Sequence, residues 1–216
     1  MSARDNILGR VRGALGRTQP LTDAQSADIR KKLGAHPRGP QPAMVWQPLE
    51  RFKERCTILS STVDEVASLG DVPAAVARYL QERDLPRAGV CWPQYAQLAW
   101  TQSGLRIEAR PATGDDEVGI TGVFCAVAET GTLMMLSSPS TYPATSLLPE
   151  THIAIVPVAR VLRSMEDGWD LLRKEKGELP RQVAFVSGPS RTADIEMTLV
   201  LGIHGPYRVH VILIAG

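Results

Sequence analysis

The chain has few cysteines, and none is placed to build a site with another. Cys56, Cys91 and Cys125 are widely separated and odd in number. No CxxC spacing occurs, which excludes a locally encoded structural zinc site and a self-contained iron–sulfur cluster. Buried small hydrophobes in a reducing compartment are their simpler role. No stretch approaches the roughly twenty apolar residues of a membrane helix. The opening residues, Met1 to Asn6, lead into no apolar core of a secretory signal, so a cytoplasmic location is expected. The net charge is only +1, which supplies no global attraction to nucleic acid or an acidic membrane. Arg4, Arg10, Arg12 and Arg17 do gather near the N-terminus, where a solvated helix face explains them more simply than a polyanion site. Phosphate-loop GxxxxGK[ST] and dinucleotide GxGxxG spacings are both missing. No internal repeat or low-complexity tract is found.

What remains is a globular composition, with 44% hydrophobic and 22% charged residues over 216 positions. That length fits one large domain, or one domain with an N-terminal appendage, able to bury a core without disulfides or metals. Ile7, Leu8, Val11 and Leu15 recur at helical spacing and predict a helix over 3–16. A Pro-rich connector follows at 34–48. The boundaries drawn are therefore a helical arm and connector over 1–47 and an α/β body over 48–216.

In the body, Leu49, Phe52, Cys56 and Leu59 mark a helix face. Thr62 to Ala67 is a weak strand, and Asp71 and Pro73 open another helix. Ala88 to Trp92 and Leu105 to Ala109 read as strands, with a helical segment over 95–100 between them. Apolar runs at 122–128 and 132–136 flank Glu129-Thr130-Gly131, which predicts a tight reversal between two strands. Strands at 152–157, 182–187 and 208–214 and a helix at 165–176 complete the pattern. Residues 193–201 are ambiguous between alternation and helical spacing, and a helix capped by Ser190 or Thr192 is expected. Buried strands alternating with helices imply a mainly parallel sheet covered on both faces, with the Glu129 hairpin as its antiparallel element.

Three constellations can carry chemistry. In Ala128-Glu129-Thr130-Gly131-Thr132, a carboxylate at a strand end is bracketed by hydroxyls and turn amides. That setting suits a general acid/base or a nucleophile. The plain alternative is a turn residue pointing into water. In Ser187-Gly188-Pro189-Ser190-Arg191-Thr192-Ala193-Asp194, a glycine turn before a helix start can hold an anion on backbone amides, with Arg191 as its counter-charge. Ordinary helix capping accounts for the same residues. In Gly202-Ile203-His204-Gly205-Pro206, His204 lies between glycine turns and can carry a proton or simply satisfy backbone groups. His152 and His210 are not at ligand spacing from it, so no metal is expected. The hydroxyl-rich loop 137–146 suits a lid or a substrate-lining segment as well as an exposed connector.

Read in order, Ala128-Glu-Thr-Gly-Thr132, Leu148-Pro-Glu-Thr-His-Ile153, Ser187-Gly-Pro-Ser-Arg-Thr-Ala-Asp-Ile-Glu196 and Gly202-Ile-His-Gly-Pro206 resemble the lactate-utilisation protein C family, or LUD domain. The likeness is dense over 120–214 and present only in outline before that. It implies a fold related to coenzyme A transferases and sugar-phosphate isomerases. It also implies a subunit role in oxidising L-lactate to pyruvate beside iron–sulfur partner proteins, with no cofactor of its own. By position it carries over Glu129, Ser190, Thr192, Asp194 and His204 as site candidates, without assigning them catalytic roles. The motifs themselves make Glu129 and His204 the catalytic candidates, and Thr130, Gly131, Thr132, Ser187, Gly188, Ser190, Arg191, Thr192 and Asp194 the ligand-binding candidates for a small carboxylate or phosphate. A free-standing transferase- or isomerase-like enzyme using Glu129, and a non-catalytic scaffold, stay open beside that reading.

Overall fold

The computed structural model describes residues 2–16, 19–192 and 200–215. The chain divides into two compact units, Met1–Ala43 and Met44–Gly216. The first holds α1 (Ala3–Ala14) and α2 (Asp23–Ala35), and each starts with a capping box. Ser2 exchanges hydrogen bonds with Asp5, and Thr22 does the same with Gln25, so two orphan amides are satisfied at each start. Neither helix buries a residue. α1 matches the periodicity over 3–16. α2 has no counterpart in that reading, because Ile29 and Leu33 are too few to mark a face.

The second unit begins with α3 (Pro48–Ile58), β1 (Thr62–Val66), α4 (Val72–Glu82), β2 (Ala88–Cys91), β3 (Arg106–Ala109) and β4 (Val118–Gly122). It continues through β5 (Cys125–Val127), β6 (Thr132–Leu136), α5 (Ala144–Leu147), β7 (Thr151–Pro157), β8 (Val161–Leu162) and α6 (Met165–Lys176). β9 (Val183–Val186), β10 (Arg191–Thr192), β11 (Val200–Leu201) and β12 (Arg208–Ile214) close it. Six strands form a parallel sheet in the order β1-β12-β7-β4-β2-β3. An α/β fold with a parallel sheet is thus what the alternating pattern dictated.

The central strands bury both faces, which is why they read as unbroken apolar runs. Ile153 and Ile155 of β7 and Ile212 of β12 pack with Val76 and Leu80 of α4. On the other face Ala154, Val156, Val211 and Leu213 meet Phe52 and Cys56 of α3. A second, four-stranded sheet covers that face, in the order β8-β5-β6-β9. The Glu129 hairpin belongs to this smaller sheet rather than to the parallel one, which corrects the expectation of one mixed sheet. Its inner residues, Ala126 and Leu133, share the core with α3, whereas Cys125 and Met134 point outward to Leu172 of α6.

Two local expectations also change. Residues 95–100 form no α-helix, only a short 3₁₀ turn at Pro93–Tyr95. Of the helix expected over 193–201, residues 193–199 lie outside the described residues. The last two, Val200–Leu201, are a strand paired with Arg191–Thr192. Thr192 is thus part of a two-stranded ribbon, and the Ser190 amide donates to the Pro206 carbonyl at 2.9 Å.

Candidate functional site

The turn of the β5–β6 hairpin sits directly against the last turns of α3. Gly131 adopts φ +68°, and a Cβ there would lie 2.7 Å from the Arg55 Cβ and 3.0 Å from its carbonyl carbon. Only glycine allows both that backbone conformation and that approach. Gly188 repeats the arrangement from the end of β9, at φ +80°, where a Cβ would fall 2.6 Å from the Leu59 carbonyl oxygen. The two glycine turns thereby bring Glu129–Thr132 and Ser187–Arg191 onto the same helix end.

Hydroxyls link the two segments. Thr130 Oγ1 lies 2.7 Å from Thr132 Oγ1, which lies 2.6 Å from Ser187 Oγ. Thr132 is buried and Ser187 exposed, so the chain of hydroxyls runs from the interior to solvent. Arg191 donates to the Leu59 carbonyl at 3.1 Å and to Ser60 Oγ at 2.7 Å. Its cation thus completes the C-terminal end of α3, where positive charge is favoured. Ser190 is tied to the third segment: Gly202 N–H donates to its carbonyl at 3.0 Å, and Gly205 packs against its side chain. His204 is exposed on that loop, and Asp194 lies outside the described residues.

The backbone places Glu129 among arginines that the sequence motifs did not indicate. Glu129 N–H donates to the Arg163 carbonyl at 3.0 Å. Arg163 in turn donates to the carbonyls of Met44 and Trp46, and its guanidinium lies over the Trp46 ring. Arg51 approaches the same ring at 5.7 Å. Arg51 and Arg55 are one helical turn apart, and the Nε atoms of both are buried without a hydrogen-bond partner. Among the described residues neither Arg55 nor Glu129 enters an ion pair. Arg55 packs on Gly131, two residues from Glu129 and in the same turn as the row of hydroxyls. A half-buried guanidinium, carboxylate and hydroxyls so assembled are the groups that receive a small carboxylate and exchange protons. The i, i+4 spacing of Arg51 and Arg55 was the available signal for this part of the site.

The cluster lies at the carboxyl ends of β5 and β9 of the small sheet. With respect to the parallel sheet, however, it sits at the amino ends of β1 and β12, just after Ser60 and around Pro206. The cluster therefore stands at the end of the parallel sheet opposite to the carboxyl-end crevice that ligands use in open α/β folds.

Beneath the cluster two histidines are buried near the starts of β7 and β12. His152 Nε2 bonds Thr121 Oγ1 at 2.7 Å, and His210 Nδ1 bonds Thr62 Oγ1 at 2.8 Å while its ring stacks on Tyr79. The remaining ring nitrogens, Nδ1 of His152 and Nε2 of His210, are buried without partners. Burial lowers both pKa values to about 4, with the Asp64 carboxylate pulling weakly the other way on His210. Both rings are neutral at physiological pH and act as core residues.

A cleft of about 330 Å³ opens elsewhere, between the carboxyl ends of β2 and β4 and the end of β6. Ser137, Ser138 and Thr141 line it, so the hydroxyl-rich loop borders a cavity that Glu129 does not line.

Comparison with known proteins agrees with the strings that form the cluster. A model of the LUD domain matches residues 49–214. A lactate utilization protein C of Exiguobacterium sp. is 30% identical over 223 residues, covering 98% of this chain and 95% of that protein. The lactate utilization protein C of Bacillus subtilis (strain 168) is 34% identical over 128 residues. That alignment spans 57% of this chain and about half, 53%, of the relative. Among solved structures, a DUF162 family protein from Deinococcus radiodurans superposes with a TM-score of 0.59 at 21% identity, covering 81% of this chain and all of that one. At that identity the likeness concerns the fold.

Proposed function

This chain belongs to the LUD domain family, and from that membership we propose that it works in lactate utilization, as a subunit of an assembly oxidising L-lactate to pyruvate. The observation that carries the reading to a site is the meeting of the Glu129 turn and the Ser187–Arg191 segment on the end of α3. A substrate carboxylate would be held by Arg55 and by the hydroxyls of Thr130 and Ser187. Glu129 would then take or return the proton of the substrate hydroxyl.

In this reading the iron–sulfur clusters belong to partner proteins. The cysteines here support that division. All three are buried and unpaired, and burial raises Cys56 and Cys125 to about 12 and Cys91 to about 11. Among the described residues none of them joins a group of three or more His, Cys, Asp or Glu side chains that could hold a metal.

The test is reconstitution. The purified chain with lactate and an electron acceptor should be inactive, and activity should appear on adding the iron–sulfur partners. Glu129→Gln keeps size and removes charge, so it should lower that activity about a hundredfold or more while the fold persists. Undiminished growth on lactate after deletion of the only gene copy would overturn the assembly role. Turnover of a coenzyme A thioester or sugar phosphate by the chain alone would put a transferase- or isomerase-like activity in its place.

A further inference from the structure

The cleft between β2 and β4 shares no described lining residue with the Glu129 cluster, and its position is one that parallel sheets use for ligands. From β2 the chain moves outward to β3 on one side. From β4 it moves into the small sheet and on to β7 on the other side. Where two adjacent parallel strands send their connections in opposite directions, a crevice is left outside their carboxyl ends. Trp92 and Gln94 follow β2, Val123 and Phe124 follow β4, and all four line the cleft.

Its walls are aromatic and held in place. Trp92 is 3% exposed and donates its indole N–H to the Tyr142 carbonyl at 3.1 Å, which fixes the ring and leaves it no polar function. Arg160 lies over the Phe124 ring at 5.7 Å and is itself held by Glu175. The loop beyond β6 is closed on itself, with Thr141 Oγ1 donating to the Leu136 carbonyl at 2.6 Å. The site is thus preformed, as small-molecule pockets usually are.

Two of its polar groups, Ser137 and Lys176, offer donors to the cleft. Ser137 Oγ accepts the Gln182 N–H at 2.9 Å, so the hydroxyl proton is available to a ligand. Lys176, at the end of α6, brings an ammonium group to the mouth and enters no ion pair among the described residues. Glu178 also lines the cleft, and its negative charge opposes an anionic ligand. Flat apolar walls ask for a planar ring, and donors at the rim ask for oxygen acceptors.

We propose that this cleft is a second binding site, for a small planar aromatic ligand bearing a carboxylate. The ring lies between the Trp92 and Phe124 walls, and the carboxylate meets Ser137 and Lys176. The proposal is independent of the lactate reading, since none of these residues belongs to the Glu129 cluster.

Calorimetric titration of the full chain with 2-naphthoate, and with 2-naphthamide as its neutral counterpart, tests it. Naphthoate should bind saturably at one site per chain and more tightly than the amide. Val123→Trp, which fills the cleft, should weaken naphthoate about tenfold or more. Lys176→Met changes an exposed side chain and cannot threaten the fold. It should weaken naphthoate about fivefold and leave the amide unchanged, while Glu178→Gln should strengthen naphthoate. No saturable binding of naphthoate up to about 10 mM would overturn the site. Affinity unchanged by both Val123→Trp and Lys176→Met would place the ligand elsewhere and overturn it as well. Equal affinity for acid and amide, with Lys176→Met without effect, would overturn the assignment of an anionic ligand.

Discussion

The Glu129 cluster and the β2–β4 cleft solve opposite problems. The cluster is built from short sequence strings rich in glycine and hydroxyls, and it is held together by backbone approach. Gly131 and Gly188 press two turns against one helix end, and Arg191 closes the gap by bonding Leu59 and Ser60. The cleft is built from single residues on four separate segments and is held open by side chains such as Trp92 and Phe124. Where the backbone makes the site, one methyl group can abolish it. Where side chains make it, substitutions change affinity before they change the fold.

That contrast can be broken most severely at Gly131. Replacement by Val adds a left-handed backbone penalty to a direct overlap with α3, and should cost about 4 kcal/mol or more. Urea unfolding should show a large loss of stability or no folded protein. If Gly131→Val melts like the parent chain, the close packing of the turn on α3 is wrong.

Acid should separate the two regions next. His152 and His210 have folded pKa values of about 4 against an ordinary value near 6.5. Between those values the unfolded chain binds protons that the native chain does not. Stability is therefore full above about pH 6.5 and falls as pH drops toward 4, by as much as about 3 kcal/mol for each ring. Both histidines lie at the amino ends of central strands, below the cluster. Amide hydrogen exchange near pH 5 should thus accelerate around Thr62, Thr151 and Arg208 before it does around Trp92 and Val123. Uniform acceleration would deny that the histidines are the acid-sensitive point.

Smaller effects sharpen the picture. Thr132→Val keeps shape but breaks the buried hydroxyl link between Thr130 and Ser187, and should cost about 1–1.5 kcal/mol in denaturant midpoint experiments. Lys176→Met at the cleft should stay within about 0.5 kcal/mol of the parent, as an exposed residue without an ion pair. A larger loss there would make Lys176 part of the fold rather than of a binding rim.

Much of the fold was legible because buried parallel strands announce themselves as apolar runs. Residues 151–157 and 208–214 are such runs, and α6 shows its caps and face. β4 was harder to see, since Gly119 and Gly122 dilute its apolar character. Those glycines answer to tertiary neighbours, Thr145 and Pro149 over Gly119 and Tyr95 over Gly122, which no local pattern reveals. The Glu129 hairpin was legible from its glycine, but its membership of a second sheet was not, because pairing partners β8 and β9 are distant in sequence. The cluster's motifs could be read as strings, while for Arg55 the sequence offered only its i, i+4 spacing from Arg51, and its place in the site comes from packing on Gly131. The cleft left no local trace at all, because its lining comes from residues 92–94, 123–124, 136–141 and 176–180.

The strand order has a consequence for biosynthesis. β12 is inserted between β1 and β7, two strands made long before it. Until it emerges from the ribosome, β1 lacks the one sheet partner it has among the described residues, and β7 presents an open edge of unpaired amides and carbonyls. Such an edge invites pairing with other chains. The first strand made thus waits longest for its partner, and a ribosome that stalls before Arg208 leaves a product with no route to the native sheet.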